Sequence, residues 1–120
     1  AKMVQAMQKE FACQPQNIVA GIGPCIGSCC YEVGEELYQE FEPLFYLQQE
    51  KQFFCQTKEN KYHLDLVAVN EAILQNAGLQ KEHIVNAGLC TCCHKDIFFS
   101  HRGHHGRRGL CGSLIQLQEI

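Results

Sequence analysis

The stretch IVAGIGPCIGSCC, residues 18–30, decides the fold class expected for this chain. Its first five residues form an unbroken apolar run, which predicts a buried strand covered on both faces. The glycines and the proline that follow predict a loop, and helical spacing of apolar residues begins at Val33. A strand, a loop and a helix in this order indicate an α/β or α+β fold.

Helical spacing also appears on both sides of this stretch. Residues 3–11 and residues 65–77 each place apolar side chains on one face of a helix, and Gly78 is a stop signal for the second. The helix that follows the loop reaches Leu44, although Pro43 disturbs or ends it. Three helices are therefore predicted.

Three further strands are predicted, at residues 52–55, 83–89 and 110–117. Residues 56–61 are polar and predict a loop. No internal repeat and no change of composition marks a domain boundary. Residues 1–120 are therefore expected to lie within one domain.

Size and charge exclude several classes of protein. The 120 residues are 46% hydrophobic and 19% charged, which is typical of a globular protein. A formal net charge of −3 gives no electrostatic reason to bind nucleic acid or an anionic membrane. No apolar run approaches the roughly 20 residues that span a bilayer, and no signal peptide is visible. We expect neither nucleic acid nor membrane as a partner.

Cysteine usage indicates the compartment. The chain has nine cysteines, an odd number, whereas secreted disulfide scaffolds are shorter, rich in loops and even in their cysteines. Most of these cysteines are expected to be reduced thiols, several of them packed as small apolar groups. A cytoplasmic location follows from this interpretation.

The first candidate site is the loop that joins the first predicted strand to the following helix. Backbone amides from Gly23 to Gly27 could hold an anion such as phosphate, because such a junction leaves N–H donors unpaired. The loop lacks the Gly-Lys-Ser/Thr sequence of a P-loop, so a nucleoside triphosphate is not expected. A simple tight turn is the alternative.

The second candidate site is the sequence CTCCH, residues 90–94. Cys90 and Cys93 have the two-residue gap of a zinc knuckle, and Cys25 with Cys29 or Cys30 could form a second half-site. A nucleophilic cysteine activated by a nearby histidine or arginine is another interpretation. Cys90 and Cys92 would share one face of a strand, so we do not expect all these thiols to bind one ion. Buried thiols are the interpretation favoured for each cysteine.

The third candidate site is the basic, glycine-rich loop at residues 100–109. Arg102 follows an apolar run that we expect to anchor it near the core, and its planar guanidinium suits phosphate or carboxylate. His104 and His105 are expected in a solvated part of the loop.

Four ordered blocks resemble one family. GPCIG with CYEVG (residues 23–34), HLDL with Asn70 (63–70), GLCTCC (88–93), and FFSHR with GRRG (98–109) are similar to the signature of the YfiH-like family. That family is described both as laccase-like multicopper polyphenol oxidoreductase and as purine nucleoside phosphorylase. The resemblance covers essentially the whole chain in order.

The resemblance implies a fold and a metal. The implied fold is an α+β sandwich with a mixed sheet packed against helices. The implied cofactor is zinc, with copper as the alternative, held by two histidines and a cysteine of a segment that precedes Ala1. The chain opens within a helical pattern, so we expect it to be the C-terminal part of a single domain, truncated at its N-terminus. No metal is expected within the chain itself.

The resemblance also implies an activity. It implies phosphorolysis of adenosine, inosine and methylthioadenosine, with some adenosine deamination, so the expected partners are a purine nucleoside and phosphate. The chain alone is expected to be inactive, and its oligomeric state is left open. A copper-dependent polyphenol oxidase and a non-catalytic zinc or redox module are the alternatives.

The matching positions imply a set of substrate-binding residues. They lie in the loop after the first strand and in the C-terminal blocks: Gly23, Gly27, Tyr31, Glu32, Cys90, Thr91, Ser100 and Arg102. Glu32 is expected in the first turn of a helix, beside Tyr31. Many family members have tyrosine at the position of His101 and a second arginine at the position of Gly103.

Overall fold

The computed structural model describes residues 1–48 and 51–119. Three helices and five strands are present in these ranges. In chain order they are α1 (Lys2–Phe11), β1 (Ala20–Ile22), β2 (Glu32–Gly34), α2 (Glu35–Phe41), β3 (Phe54–Lys58), β4 (Lys61–Leu64), α3 (Leu66–Asn76) and β5 (Ile84–Asn86). Within the same ranges, no helix combines the length and apolar character needed to cross a membrane.

The strands form two small sheets. β1 and β5 pair in parallel, with Ala20 opposite Ile84, and the second sheet is antiparallel in the order β2-β4-β3. Parallel neighbours end at the same edge, so the loops after β1 and β5 leave the sheet side by side. The mixed α+β class expected from the sequence is confirmed.

The core lies between the antiparallel sheet, α2 and α3. Phe53 and Leu64 are almost fully buried, with 1% and 0% of their surfaces exposed. Tyr38 of α2 stacks on Tyr62 of β4 at 4.3 Å and meets Phe54 edge to face at 5.0 Å. Aromatic pairs of this kind add to the stabilisation from apolar burial.

Helix α3 has the bounds that its capping signals predict. The Oδ1 atom of Asp65 accepts a hydrogen bond from the amide of Ala68 at 2.9 Å, which satisfies a donor of the first turn. Gly78 follows the last turn with φ of 104°, and a Cβ there would lie 2.8 Å from the Cβ of Pro15. Only glycine fits both that dihedral angle and that close approach.

One strand prediction is wrong and another is wrong in part. Residues 110–117 form no strand, and their apolar side chains are exposed, Leu114 and Ile115 almost completely. Loose alternation of side chains cannot make a strand without a neighbour to accept its hydrogen bonds. The first strand begins only at Ala20, and Gly21 within it is exposed, so the run is not covered on both faces.

Two local assignments are also corrected. The polar segment predicted as a loop at residues 56–61 belongs to a hairpin of β3 and β4, whose turn holds Asn60 at φ of 55°. Asparagine tolerates this left-handed conformation better than most residues. Glu32 lies in β2, opposite His63, and not in the first turn of a helix. Pairing with β4 keeps the backbone extended until Glu35.

Tyr62 links the sheet to α2. Its hydroxyl donates to Oε2 of Glu35 at 2.7 Å, and this hydrogen bond is the main cause that raises the pKa of Tyr62 from 10.0 to about 12. A phenol whose pKa is raised by folding stabilises the fold below its unfolded pKa. That contribution is fully present below pH 10 and is lost as the pH rises through about 12.

We therefore expect the Tyr62→Phe variant to lose less of its free energy of unfolding between pH 10 and pH 12 than the wild type does. Urea unfolding at a series of alkaline pH values measures the difference. Tyr46→Phe is the control, because Tyr46 is 74% exposed. Parallel pH profiles for the wild type and Tyr62→Phe would contradict the assignment.

Candidate functional site

The loops after β1 and β5 meet beyond the end of the parallel sheet. Cys25 and Cys90 form an isolated parallel bridge, and the amide of Thr91 donates to the carbonyl of Cys25 at 3.0 Å. The amide of Gly27 donates to Sγ of Cys90 at 3.1 Å. Two stretches identified separately in the sequence, residues 23–30 and 90–94, thus form one region.

Arg102 joins the same region from the C-terminal loop. Its Nη1 donates to the backbone carbonyl of Glu32 at 2.9 Å, and its guanidinium lies over the ring of Tyr31, 5.5 Å from the centroid. A cation over an aromatic face is attracted by the quadrupole of the ring. Seventy residues separate Glu32 from Arg102 in the chain, yet the structure brings them together.

Tyr31, Glu32 and Arg102 border an open hollow of about 420 Å³. The predicted site residues Gly27, Cys90, Thr91 and Ser100 are not part of its lining. The charged residues of its lining are Glu32, Glu35, Glu36, Lys61 and Arg102. Carboxylates accept hydrogen bonds from hydroxyl groups, whereas guanidinium binds phosphate oxygens with two parallel donors. Such a mixed lining suits a ligand that carries both hydroxyl groups and an anionic group.

Ser100 fixes the turn that presents Arg102. Ser100 is buried, its Oγ accepts from the amide of Gly103 at 3.1 Å, and its amide donates to Nδ1 of His104 at 3.2 Å. The Ser100 hydroxyl thus already accepts a hydrogen bond within the turn. Its role in substrate binding stays a prediction. His104 is half-buried in this turn and not fully solvated as expected, whereas His105 is exposed.

Gly23 does not join the hollow. It is exposed, and a Cβ built on it would meet no atom within 4 Å. A second hollow of about 690 Å³ lies between α3 and residues such as Leu47 and Phe53, and no predicted site residue lines it. We assign the candidate site to the smaller hollow because Tyr31, Glu32 and Arg102 meet there.

Four thiols converge where the two loops meet. The Sγ atoms of Cys29, Cys30, Cys90 and Cys93 all lie within 4.8 Å of one another, and Cys93 lies 3.6 Å from Cys29 and 3.5 Å from Cys30. Within residues 1–48 and 51–119, this is the one group of three or more potential ligands with metal-site spacing. The zinc half-sites considered from the sequence contained these cysteines. Neither Cys25 nor His94 belongs to the group.

Hydrogen bonds shift the pKa values of these thiols in different directions. Burial is the largest single influence on the pKa of Cys90 and raises it. Hydrogen bonds from the amides of Gly27 and Cys93, together with those from Cys29 and the Cys92 amide, lower the pKa to about 6. The pKa of Cys30 is raised, chiefly by its hydrogen bond with Cys93 and then by burial. The group thus favours a thiolate at Cys90.

The chain belongs to the family described as multi-copper polyphenol oxidoreductase laccase, whose sequence pattern matches residues 1–118. It is 35% identical over 118 residues to "Purine nucleoside phosphorylase YlmD" of Geobacillus stearothermophilus, which covers 98% of this chain. It is 34% identical over 86 residues, 72% of this chain, to "Adenosine deaminase RL5" of an unknown prokaryotic organism. The family indicated by the sequence motifs is confirmed.

The fold of this family is confirmed by a solved structure. The hypothetical protein YfiH of Bacillus licheniformis superimposes on 90% of this chain with a TM-score of 0.83 and 40% identity. The chain spans only 40% of that structure, 42% of YlmD and 32% of the deaminase. The matched proteins therefore contain more than these 120 residues.

Proposed function

We propose that the protein carrying this chain is a purine nucleoside phosphorylase and that the hollow beside Arg102 forms part of its cleft for nucleoside and phosphate. One observation carries the proposal: the Arg102 guanidinium is held by the Glu32 carbonyl and the Tyr31 ring at the border of a hollow that is also lined by glutamates. The name of the YlmD relative supports the same activity.

The chemistry requires both kinds of group that line the hollow. In phosphorolysis a phosphate oxygen bonds to C1′ of the ribose, the bond from C1′ to the purine nitrogen breaks, and the purine takes up a proton. Only one Arg102 N–H group is engaged by Glu32, so other donors can face phosphate and offset its charge. The Glu32 carboxylate can accept hydrogen bonds from ribose hydroxyls. Adenosine, inosine and methylthioadenosine are the proposed substrates.

The metal implied by the family resemblance does not fit the residues of this chain. The expected ligands are two histidines and a cysteine, whereas the convergent group in the described ranges consists of four cysteines. We therefore assign zinc, or copper as its alternative, to another part of the whole protein. This chain contributes binding and orientation, and alone it is expected to be inactive.

Adenosine deamination is the second candidate activity, favoured by the relative named as an adenosine deaminase. It would release ammonia from adenosine without requiring phosphate, which separates it from phosphorolysis. Phenol oxidation, suggested by the family description, would consume dioxygen and require copper. We place the protein in the cytoplasm, consistent with its nine free thiols.

The test is release of ribose 1-phosphate from inosine by the protein extended with its upstream coding sequence. We expect phosphate-dependent release and a fall in kcat/KM of about 10-fold or more for Glu32→Gln, the usual effect of losing a hydrogen bond to a charged group. Glu40→Gln is the control, because Glu40 is exposed on the neighbouring helix α2 and does not line the hollow. Absence of ribose 1-phosphate would refute the proposed activity, and unchanged turnover would remove Glu32 from the site.

A further inference from the structure

The four converging thiols have the spacing that one tetrahedral ion requires. Zinc bound by four thiolates has Zn–S bonds of about 2.3 Å, which places the sulfurs about 3.8 Å apart. The sulfur of Cys93 lies 3.6 Å and 3.5 Å from those of Cys29 and Cys30, and all four lie within 4.8 Å. The longest separation, at most 4.8 Å, would have to shorten by up to about 1 Å to complete the tetrahedron.

The backbone already holds these side chains in place. Cys29 and Cys30 lie in a turn closed by the amides of Cys30 and Tyr31, which both donate to the carbonyl of Gly27 at 3.0 Å. The turn that starts at Cys90 is closed by the amide of His94, which donates to the Cys90 carbonyl at 3.0 Å. Both turns follow the paired strands β1 and β5, so each contributes two sulfurs to the same point.

Hydrogen bonds to sulfur add a second, independent indication. The amides of Gly27 and Cys93 both donate to Sγ of Cys90, at 3.1 Å and 3.5 Å. Amide donors stabilise a thiolate, which is the form that binds metal, and such outer contacts orient metal ligands. Gly27 also leaves room for this approach, because a Cβ would lie 3.3 Å from Cβ of Cys90 and 3.2 Å from Sγ of Cys29 and would make both contacts tight.

We propose that Cys29, Cys30, Cys90 and Cys93 bind a single zinc ion that joins the loop after β1 to the turn after β5. Four sulfur donors in a compact tetrahedron select zinc over the hard cations calcium and magnesium. With four protein ligands the ion has no open position, so its role is structural. It fastens the segment leading to Tyr31 and Glu32 against the segment leading to Arg102. This proposal does not depend on the proposed enzymatic activity.

The first experiment measures zinc per chain in the whole protein purified under reducing conditions. We expect Cys30→Ser and Cys93→Ser each to lose about one zinc ion relative to the wild type. Cys55→Ser is the remote control, since Cys55 is an exposed residue of β3, and Cys92→Ser is the near control, since its sulfur lies outside the group. Both controls are expected to retain the wild-type zinc content. Comparing each variant with the wild type removes the contribution of any zinc that is bound elsewhere in the protein.

The second experiment does not require a stable variant. X-ray absorption at the zinc edge of the wild-type protein should show more than one sulfur neighbour per zinc ion at about 2.3 Å, whereas the upstream site implied by the family resemblance has only one cysteine. Replacement by cobalt should produce the intense thiolate-to-metal absorption of tetrahedral cobalt. Equal zinc content in the wild type and Cys93→Ser, or a shell with no more than one sulfur per zinc ion, would overturn the proposal. Loss of copper or iron instead of zinc in Cys93→Ser, or a disulfide within the group under reducing conditions, would overturn it as well.

Discussion

Phe53→Ala should lower the free energy of unfolding by about 3–5 kcal/mol, the usual cost of deleting a buried aromatic ring. Phe53 is 1% exposed and belongs to the core that also contains Leu64 and Val69. Its removal takes away apolar burial and leaves a cavity that the surrounding side chains cannot fill completely. The variant would keep the backbone hydrogen bond at residue 53, because the amide of Phe53 donates to Oε1 of Gln48 at 2.7 Å.

Urea unfolding followed by circular dichroism measures this effect, with Phe11→Ala as the matched control. Phe11 is 77% exposed at the end of α1, so its removal should change the free energy of unfolding by less than about 0.5 kcal/mol. A loss below about 1 kcal/mol for Phe53→Ala would show that the ring is not in a packed core.

Arg102→Ala should lower kcat/KM for phosphorolysis of inosine by about 10- to 100-fold, the cost of losing a charged donor to phosphate. The loss should be strongest at low phosphate concentration, because the guanidinium is proposed to face that substrate. Arg102→Lys keeps the charge but not the planar fork of donors, and it should recover only part of the activity. Ground-state binding and turnover are separated by measuring KM for phosphate and kcat for each variant.

Arg107→Ala provides the comparison within the same basic loop. Arg107 is exposed and does not line the hollow, so its variant should retain wild-type kinetics. An equal loss in Arg107→Ala and Arg102→Ala would indicate that only the overall positive charge of the loop matters. Full activity in Arg102→Ala would remove this residue from the site.

Features of the fold that depend on residues close together in the sequence were predictable from it. Helix α3 lies between an Asp65 cap and a Gly78 stop, as the residue types at these positions indicate. The strand predicted at residues 110–117 and the loop predicted at 56–61 were wrong. Whether each segment forms a strand depends on whether a partner strand is available, and local patterning does not reveal this.

The candidate site was predictable in its parts but not in its assembly. Motifs identified Glu32 and Arg102 as pocket residues, yet the hydrogen bond between them spans seventy residues of sequence. The sequence also suggested a zinc half-site at Cys90 and Cys93 but gave no means to choose its partners. Only the structure shows that the sulfurs of Cys29 and Cys30 lie within 4.8 Å of those of Cys90 and Cys93, in a group that does not include Cys25.

The sequence by itself determined the family, the mixed class of the fold and the positions of the three helices, because motifs and helical periodicity are local properties of the chain. Only the tertiary structure decided which loops meet, where Arg102 points and which four sulfurs converge. These contacts arise when β1 and β5 pair in parallel and release their loops at one edge. Such pairing depends on residues far apart in the chain, and local sequence patterns do not predict it.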